Sequence, residues 1–147
     1  MMTNSLMKNY NRSFESIYTD ALNNTGNIAR PVIQKLTDLI SAKSDDDDIL
    51  CVYDDTELAG SGVILLDNVA KEIFNRIGSY YIIPSSVHEL LLCPALKFEP
   101  GFLMKSIRDT TKSRQIDFDD YLSSSLFYYD IRTEKIVPFD FTTYTRL

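Results

Sequence analysis

Two short apolar runs, Tyr80-Tyr81-Ile82-Ile83 and Leu90-Leu91-Leu92-Cys93, flank a Pro84-Ser85-Ser86 break, and no other feature restricts the fold of the chain as tightly. Each run is too short for a buried helix and lacks the alternation of a strand wetted on one face. Both therefore read as central strands of a sheet, the second opening at Glu89. Ile49-Leu50-Cys51-Val52-Tyr53 is a run of the same kind. The turn-like Asp54-Asp55-Thr56-Glu57 and the following Gly60-Ser61-Gly62-Val63-Ile64-Leu65 predict a hairpin with a return strand. A terminal hairpin is predicted from Leu126-Phe127-Tyr128-Tyr129-Asp130 and Lys135-Ile136-Val137-Pro138-Phe139, around a turn at Arg132-Thr133-Glu134.

Ahead of residue 45 the apolar period is helical. Ser13 is positioned to cap a helix in which Phe14, Ile17, Tyr18, Ala21 and Leu22 form one stripe, and Asn23-Asn24-Thr25-Gly26-Asn27 is expected to stop it. Val32, Ile33, Leu36, Leu39 and Ile40 repeat the spacing after Pro31, giving a second candidate helix whose first residues could be extended. Asp67 or Asn68 is expected to cap a third, with Leu66, Val69, Ala70, Ile73, Phe74 and Ile77 on one face and Gly78 ending it. Pro100 and Gly101 open a fourth, carrying Phe102, Leu103, Met104 and Ile107. The stretch from Asp117 to Ser125 is ambiguous.

These elements define an α+β class: a two-layer, largely antiparallel sheet of five to six strands with three to four helices. With 147 residues, 44% hydrophobic and 24% charged, the composition is globular and one domain is expected. Residues 1–44 form its helical part, 49–140 its sheet-containing part and 141–147 a tail. The net charge of -6 makes a phosphate backbone a poor partner, so direct nucleic-acid binding is not expected. Cys51 and Cys93 each sit in an apolar run and read as reduced core thiols. Together with the lack of a secretory or membrane-spanning pattern, they place the chain in the cytoplasm with no membrane role.

The span from Gly60-Ser61-Gly62-Val63-Ile64-Leu65 to Tyr80-Tyr81-Ile82-Ile83-Pro84-Ser85-Ser86-Val87-His88-Glu89-Leu90-Leu91-Leu92 resembles a bacterial family of domains of unknown function, numbered 5688. Its Pro-Ser-Ser-x-His-Glu signature stands unaltered at Pro84, Ser85, Ser86, His88 and Glu89. Thr3-Asn4-Ser5-Leu6, Tyr18-x-x-Ala21, Leu122-Ser123 and Tyr128-Tyr129-Asp130 extend the likeness over nearly the whole chain. Members run to roughly twice this length, so the resemblance implies a C-terminal half. It supplies no activity, cofactor or catalytic residue.

Four groups of residues invite chemistry. His88, the one histidine, lies beside Ser85, Ser86 and Glu89, which suggests a nucleophile, base and acid. On a strand, however, His88 and Glu89 point to opposite faces, and in a turn Ser86-x-x-Glu89 serves as a capping box. Asp45, Asp46, Asp47 and Asp48 offer oxygen ligands to a hard cation, but adjacent aspartates lack the alternation and glycine turn of a calcium loop. Gly60-Ser61-Gly62 falls short of every phosphate fingerprint. Finally, Phe127, Tyr128, Tyr129, Phe139, Phe141 and Tyr144 crowd the terminal hairpin. Adjacent aromatics on a strand face both ways, so either one set stays exposed for a partner or helices cover both sides.

A non-catalytic module that binds another protein, as an adaptor or inhibitor, is the function most consistent with these residues, and no cofactor is expected. A hydrolase built on Ser86, His88 and Glu89 is the alternative. An acidic decoy imitating nucleic acid is the second alternative.

Overall fold

The computed structural model describes residues 11–40, 48–112 and 118–143, residue 118 by its backbone alone. Asp45, Asp46, Asp47 and Tyr144 lie outside the described residues.

Helix α1 (Phe14–Ile28) starts where Ser13 Oγ accepts from the Ser16 N–H at 3.2 Å. It does not stop at the Asn23-Asn24-Thr25-Gly26-Asn27 segment. A Cβ added at Gly26 would stand 3.8 Å from the Leu66 side chain, an ordinary packing distance, and tertiary contact there overrides the weak helix propensity of this stretch. The helix closes at Ala29, whose N–H donates to Thr25 O at 2.8 Å. Pro31 then forces extended backbone, so strand β1 (Pro31–Lys35) replaces the first half of the second candidate helix. Only α2 (Leu36–Leu39) of that helix remains.

Strands β2 (Leu50–Asp54), β3 (Tyr80–Ile83), β4 (Glu89–Pro94), β5 (Phe127–Asp130) and β6 (Lys135–Pro138) complete one six-stranded sheet, with order β1-β2-β4-β3-β5-β6. Every pairing is antiparallel. The α+β class and the central place of β3 and β4 follow as their apolar runs predict. The expected return strand is instead a 3₁₀ helix, Gly60–Leu65. The reason is topological: β2 already has β1 on one side and β4 on the other, so no edge is free for a returning strand. Gly60 makes the necessary turn at φ 51°, and the segment crosses the end of the sheet with Val63 and Ile64 buried.

Helix α3 (Asp67–Ile77) is preceded by Leu66, which makes no side-chain cap, and ends at Gly78 with φ 73°. Helix α4 spans Pro100–Lys112, and the ambiguous stretch contains a 3₁₀ turn, Phe118–Asp120. Val69, Ala70 and Ile73 of α3 pack on Leu50, Val52, Tyr80, Ile82, Leu90 and Leu92. Leu103 and Ile107 of α4 pack on the alternate residues Tyr81 and Cys93. The period-2 alternation of strands puts these two cores on opposite faces, so α4 adds a layer that the two-layer expectation did not contain.

Handedness explains the arrangement. β2 and β3 run parallel with β4 between them, joined by α3; β4 and β5 run parallel with β3 between them, joined by α4. The two crossovers step the same way across the sheet on strands of opposite direction. A common hand therefore requires helices on opposite faces.

Each sheet edge carries an obstacle to further pairing. Leu36 N–H donates to Ile49 O and Asp55 N–H to Arg30 O, which fixes Val32 and Gln34 as the β1 residues bonded to β2 and turns Pro31 and Ile33 outward. Arg76 caps the outward carbonyl of Ile33 at 2.9 Å. On β6, Phe139 N–H donates to Leu126 O, so Pro138 and Ile136 face away from β5. A proline at an outward position of each edge strand removes the donor that a stranger's strand needs.

Candidate functional site

The hook between β3 and β4 holds the signature residues, and its main chain is pinned from two sides. Ser61 N–H donates to Val87 O at 2.9 Å, and Val87 N–H donates to Asp120 O at 2.9 Å. A Cβ at Gly60 would stand 2.3 Å from Val87 O, so only glycine permits that approach. Inside the hook, Ser86 Oγ accepts from the N–H groups of His88 at 3.1 Å and Glu89 at 3.3 Å. Ser86 N–H in turn donates to Glu89 O at 3.1 Å. This is the serine half of a capping box, formed at the entry to a strand rather than a helix.

The three candidate catalytic side chains do not converge. His88 Nε2 lies 3.1 Å from Asp120 Oδ1, 32 residues along the chain, with its side chain 66% exposed. The Glu89 carboxylate instead accepts from Ser85 Oγ at 3.4 Å. Ser86 Oγ is turned toward backbone donors. Asp120, which sequence reasoning missed, lies in the stretch whose period is ambiguous, and nothing in the sequence pairs it with the histidine.

Next to the hook, Asp54 is an architectural hub. Its buried carboxylate accepts from the N–H groups of Arg30 at 2.8 Å, Ala59 at 2.9 Å and Thr56 at 3.2 Å, and from the Thr56 hydroxyl. Burial alone would raise its pKa, but the Thr56 hydroxyl and the three backbone donors together outweigh desolvation and hold it well below the usual carboxylate range. One side chain thus joins the end of α1, the end of β2 and the turn into the 3₁₀ helix.

At the opposite end of β3 lies the terminal hairpin. The β3–β5 ladder pairs only Tyr81 with Tyr128 and Ile82 with Phe127, and beyond it the strands part. A cavity of about 520 Å³ opens in the fork, walled by Tyr80, Tyr81, Tyr128, Tyr129 and Phe139. Tyr129 stacks on Tyr80 with centroids 5.5 Å apart, on the α3 face. Phe139 sits edge-on to Tyr81 at 5.4 Å, on the α4 face, and to Phe141 at 4.8 Å. Phe127, Tyr128 and Phe139 are half-buried, Tyr129 is buried and Phe141 is 44% exposed. The hairpin aromatics thus divide between the two faces: Phe127 and Tyr129 pack with the α3 core, Tyr128 and Phe139 with the α4 core, and Phe141 stays exposed.

Asp130 also lines the fork. It accepts from Arg132 N–H at 3.0 Å and Nε at 3.1 Å. The Arg132 side-chain bond is the main cause that holds its carboxyl below the usual range. The arginine itself is 82% exposed.

Among the described residues no group of three or more His, Cys, Asp or Glu could hold a metal, and Asp48 is paired with Lys97. Cys51 and Cys93 are buried, unpaired thiols. Burial pushes Cys93 up to about 12, and burial with the Glu89 carboxylate pushes Cys51 up to about 11. No helix of the described residues is long and apolar enough to cross a membrane.

The profile of one family, DUF5688, a family of unknown function, matches residues 1–131. The chain belongs to this family. No curated protein and no solved structure matches it. The DUF5688 match takes in the hook, Asp54 and Asp120, and ends in the turn between β5 and β6. Phe139 and Phe141 therefore lie beyond the matched span, while Tyr80, Tyr81, Tyr128 and Tyr129 lie within it.

Proposed function

We propose that this DUF5688 chain is a non-catalytic module of the bacterial cytoplasm that binds another protein, as an adaptor or inhibitor, through the fork between β3 and β5. The observation that carries the proposal is the composition of that fork. Four tyrosines and a phenylalanine wall a cavity of about 520 Å³, with the exposed Ile131 and Arg132 in its lining and the exposed Phe141 packed edge-on against its Phe139. Tyrosine and arginine around a concave apolar floor are the residues that dominate protein contact energetics. Pro31 and Pro138 hinder strand addition at the edges, which directs a partner to the fork. Against a hydrolase stands the use of each candidate side chain: Ser86 holds backbone, Glu89 holds Ser85 and His88 meets Asp120. Two buried, unpaired thiols fit a reducing compartment.

The test is affinity capture from the host's lysate with the wild-type chain and with Phe141→Asp and Ile131→Asp, both exposed positions whose change spares the core. One protein recovered at near-stoichiometric yield by the wild type and lost by both variants supports the proposal. Recovery of the domain alone, or equal recovery by the variants, refutes it.

A further inference from the structure

At the end of the sheet away from the fork, α4 changes character along its length. Leu103 and Ile107 pack into the core, yet Ser106, Thr110 and Thr111 of the same helix line a cavity of about 230 Å³. Its apolar lining is Ile83, Pro84, Leu91 and Ile107, of which Ile83 and Leu91 are cross-strand partners. Ser85, Tyr121 and Ser123 complete the hydroxyl lining. The cavity opens to solvent beside Thr111 and Tyr121, both exposed, and hydroxyls facing such a pocket ordinarily donate across it or to water. Two of these do not: Ser106 Oγ donates to Phe102 O at 3.2 Å and Thr111 Oγ1 to Ile107 O at 2.8 Å, each within its own helix. With their protons used locally, both oxygens offer only lone pairs to a guest. Ser85 is in the same condition, because its proton goes to Glu89.

We infer that this cavity is a binding site for a small uncharged molecule with a flat apolar ring and one or two hydrogen-bond donors. The size follows from the volume: a cavity of roughly 150 Å³ accommodates benzene, so about 230 Å³ suits a substituted or fused ring. The absence of charge follows from the lining, in which no Lys, Arg, His, Asp or Glu of the described residues takes part. An anion would also meet the Glu89 carboxylate behind Ser85 without a counter-charge. The ring lies on Ile83, Leu91 and Ile107, and its donors meet the oxygens of Ser85, Ser106 and Thr111.

Phenol and indole serve as uncharged probes, with benzoate and benzylamine as charged probes of like size, each titrated into the full chain with ¹³C-labelled isoleucine and leucine methyls. Saturable shifts at Ile83, Leu91 and Ile107 are expected for phenol and indole, with the charged probes at least about tenfold weaker. Thr110→Leu and Ser106→Leu, which fill the cavity, weaken the uncharged probes by at least about tenfold. The inference fails if phenol and indole leave those methyls unmoved, if they shift only methyls on the α3 face, if benzoate binds as tightly, or if folded filled variants bind unchanged. Should neither variant fold, methyl mapping on the wild-type chain decides by itself.

Discussion

Replacing Asp54 with asparagine removes one charge and changes almost no volume, so the effect isolates what the carboxylate does for the fold. Oδ1 accepts from the N–H groups of Arg30 and Thr56, and Oδ2 from Ala59 N–H and the Thr56 hydroxyl. The least damaging amide orientation keeps oxygen at Oδ1 and places NH₂ at Oδ2. The Thr56 hydroxyl can then accept instead of donate, but Ala59 N–H faces a second donor and is orphaned. An unsatisfied buried donor costs roughly 1–3 kcal/mol, and the remaining bonds lose their charge assistance, so the total is about 3 kcal/mol. At a few degrees per kcal/mol for a chain of this size, Tm falls by roughly 10 °C.

The pH dependence carries the sign. The folded pKa of Asp54 lies below its ordinary value of 3.8, so its stabilisation is fully present above about pH 4 and is lost as pH falls toward the folded value. The gap between wild type and Asp54→Asn should therefore be constant from pH 7 to about 5 and narrow below about 4. Urea titrations followed by far-UV circular dichroism and tyrosine fluorescence, with nine tyrosines and no tryptophan, measure it. A difference at pH 7 below about 0.5 kcal/mol, or a gap that persists undiminished to pH 2.5, would refute the hub.

Gly60→Ala places a Cβ 2.3 Å from Val87 O at a positive φ and should cost about 3 kcal/mol or more, whereas Gly62→Ala meets nothing within 4 Å and should be nearly neutral by the same denaturation assay. Ser86→Ala strips the acceptor from two backbone N–H groups and should cost about 1–2 kcal/mol, while His88→Ala breaks an exposed pair and should cost less than about 1; the reverse order would place the strain on the ring. Cys51 and Cys93 should resist a disulfide reagent at pH 8 until urea unfolds the chain, and fast labelling of the native state would contradict their burial. Pro138→Thr restores an outward N–H to β6 and should raise self-association in sedimentation velocity relative to the parent chain run at the same concentration.

The strands whose apolar runs are short and bounded, β2 to β5, were legible because burial on both faces leaves few polar positions to confuse the period, and the edge strand β6 was legible as the return of β5 across a turn. Residues 60–65 defeat the same logic. Val63, Ile64 and Leu65 have the composition of a strand, and only the sheet order, a non-local property, denies them a place beside β2. Val32 and Ile33 satisfy helix and strand spacing alike, and the partner β2 decides between them. The hook itself was legible as a turn capped by Ser86. The Asp120 contact was not, because a pairing 32 residues apart leaves no local trace.

The place of His88 follows from that non-local order. β2 and β3 end, and β4 begins, at one end of the sheet, which brings the Asp54 turn, the 3₁₀ helix and the hook together. There the chain fastens the hook by the backbone of Val87, held by Ser61 on one side and Asp120 on the other, and by Ser86 within. None of these bonds uses the imidazole. A ring that the loop does not need for its own shape, next to a carboxylate brought from a separate segment, can turn without moving β3 or β4. Substitution at His88 therefore probes the surface alone, whereas substitution at Ser86 or Gly60 probes the architecture that carries it.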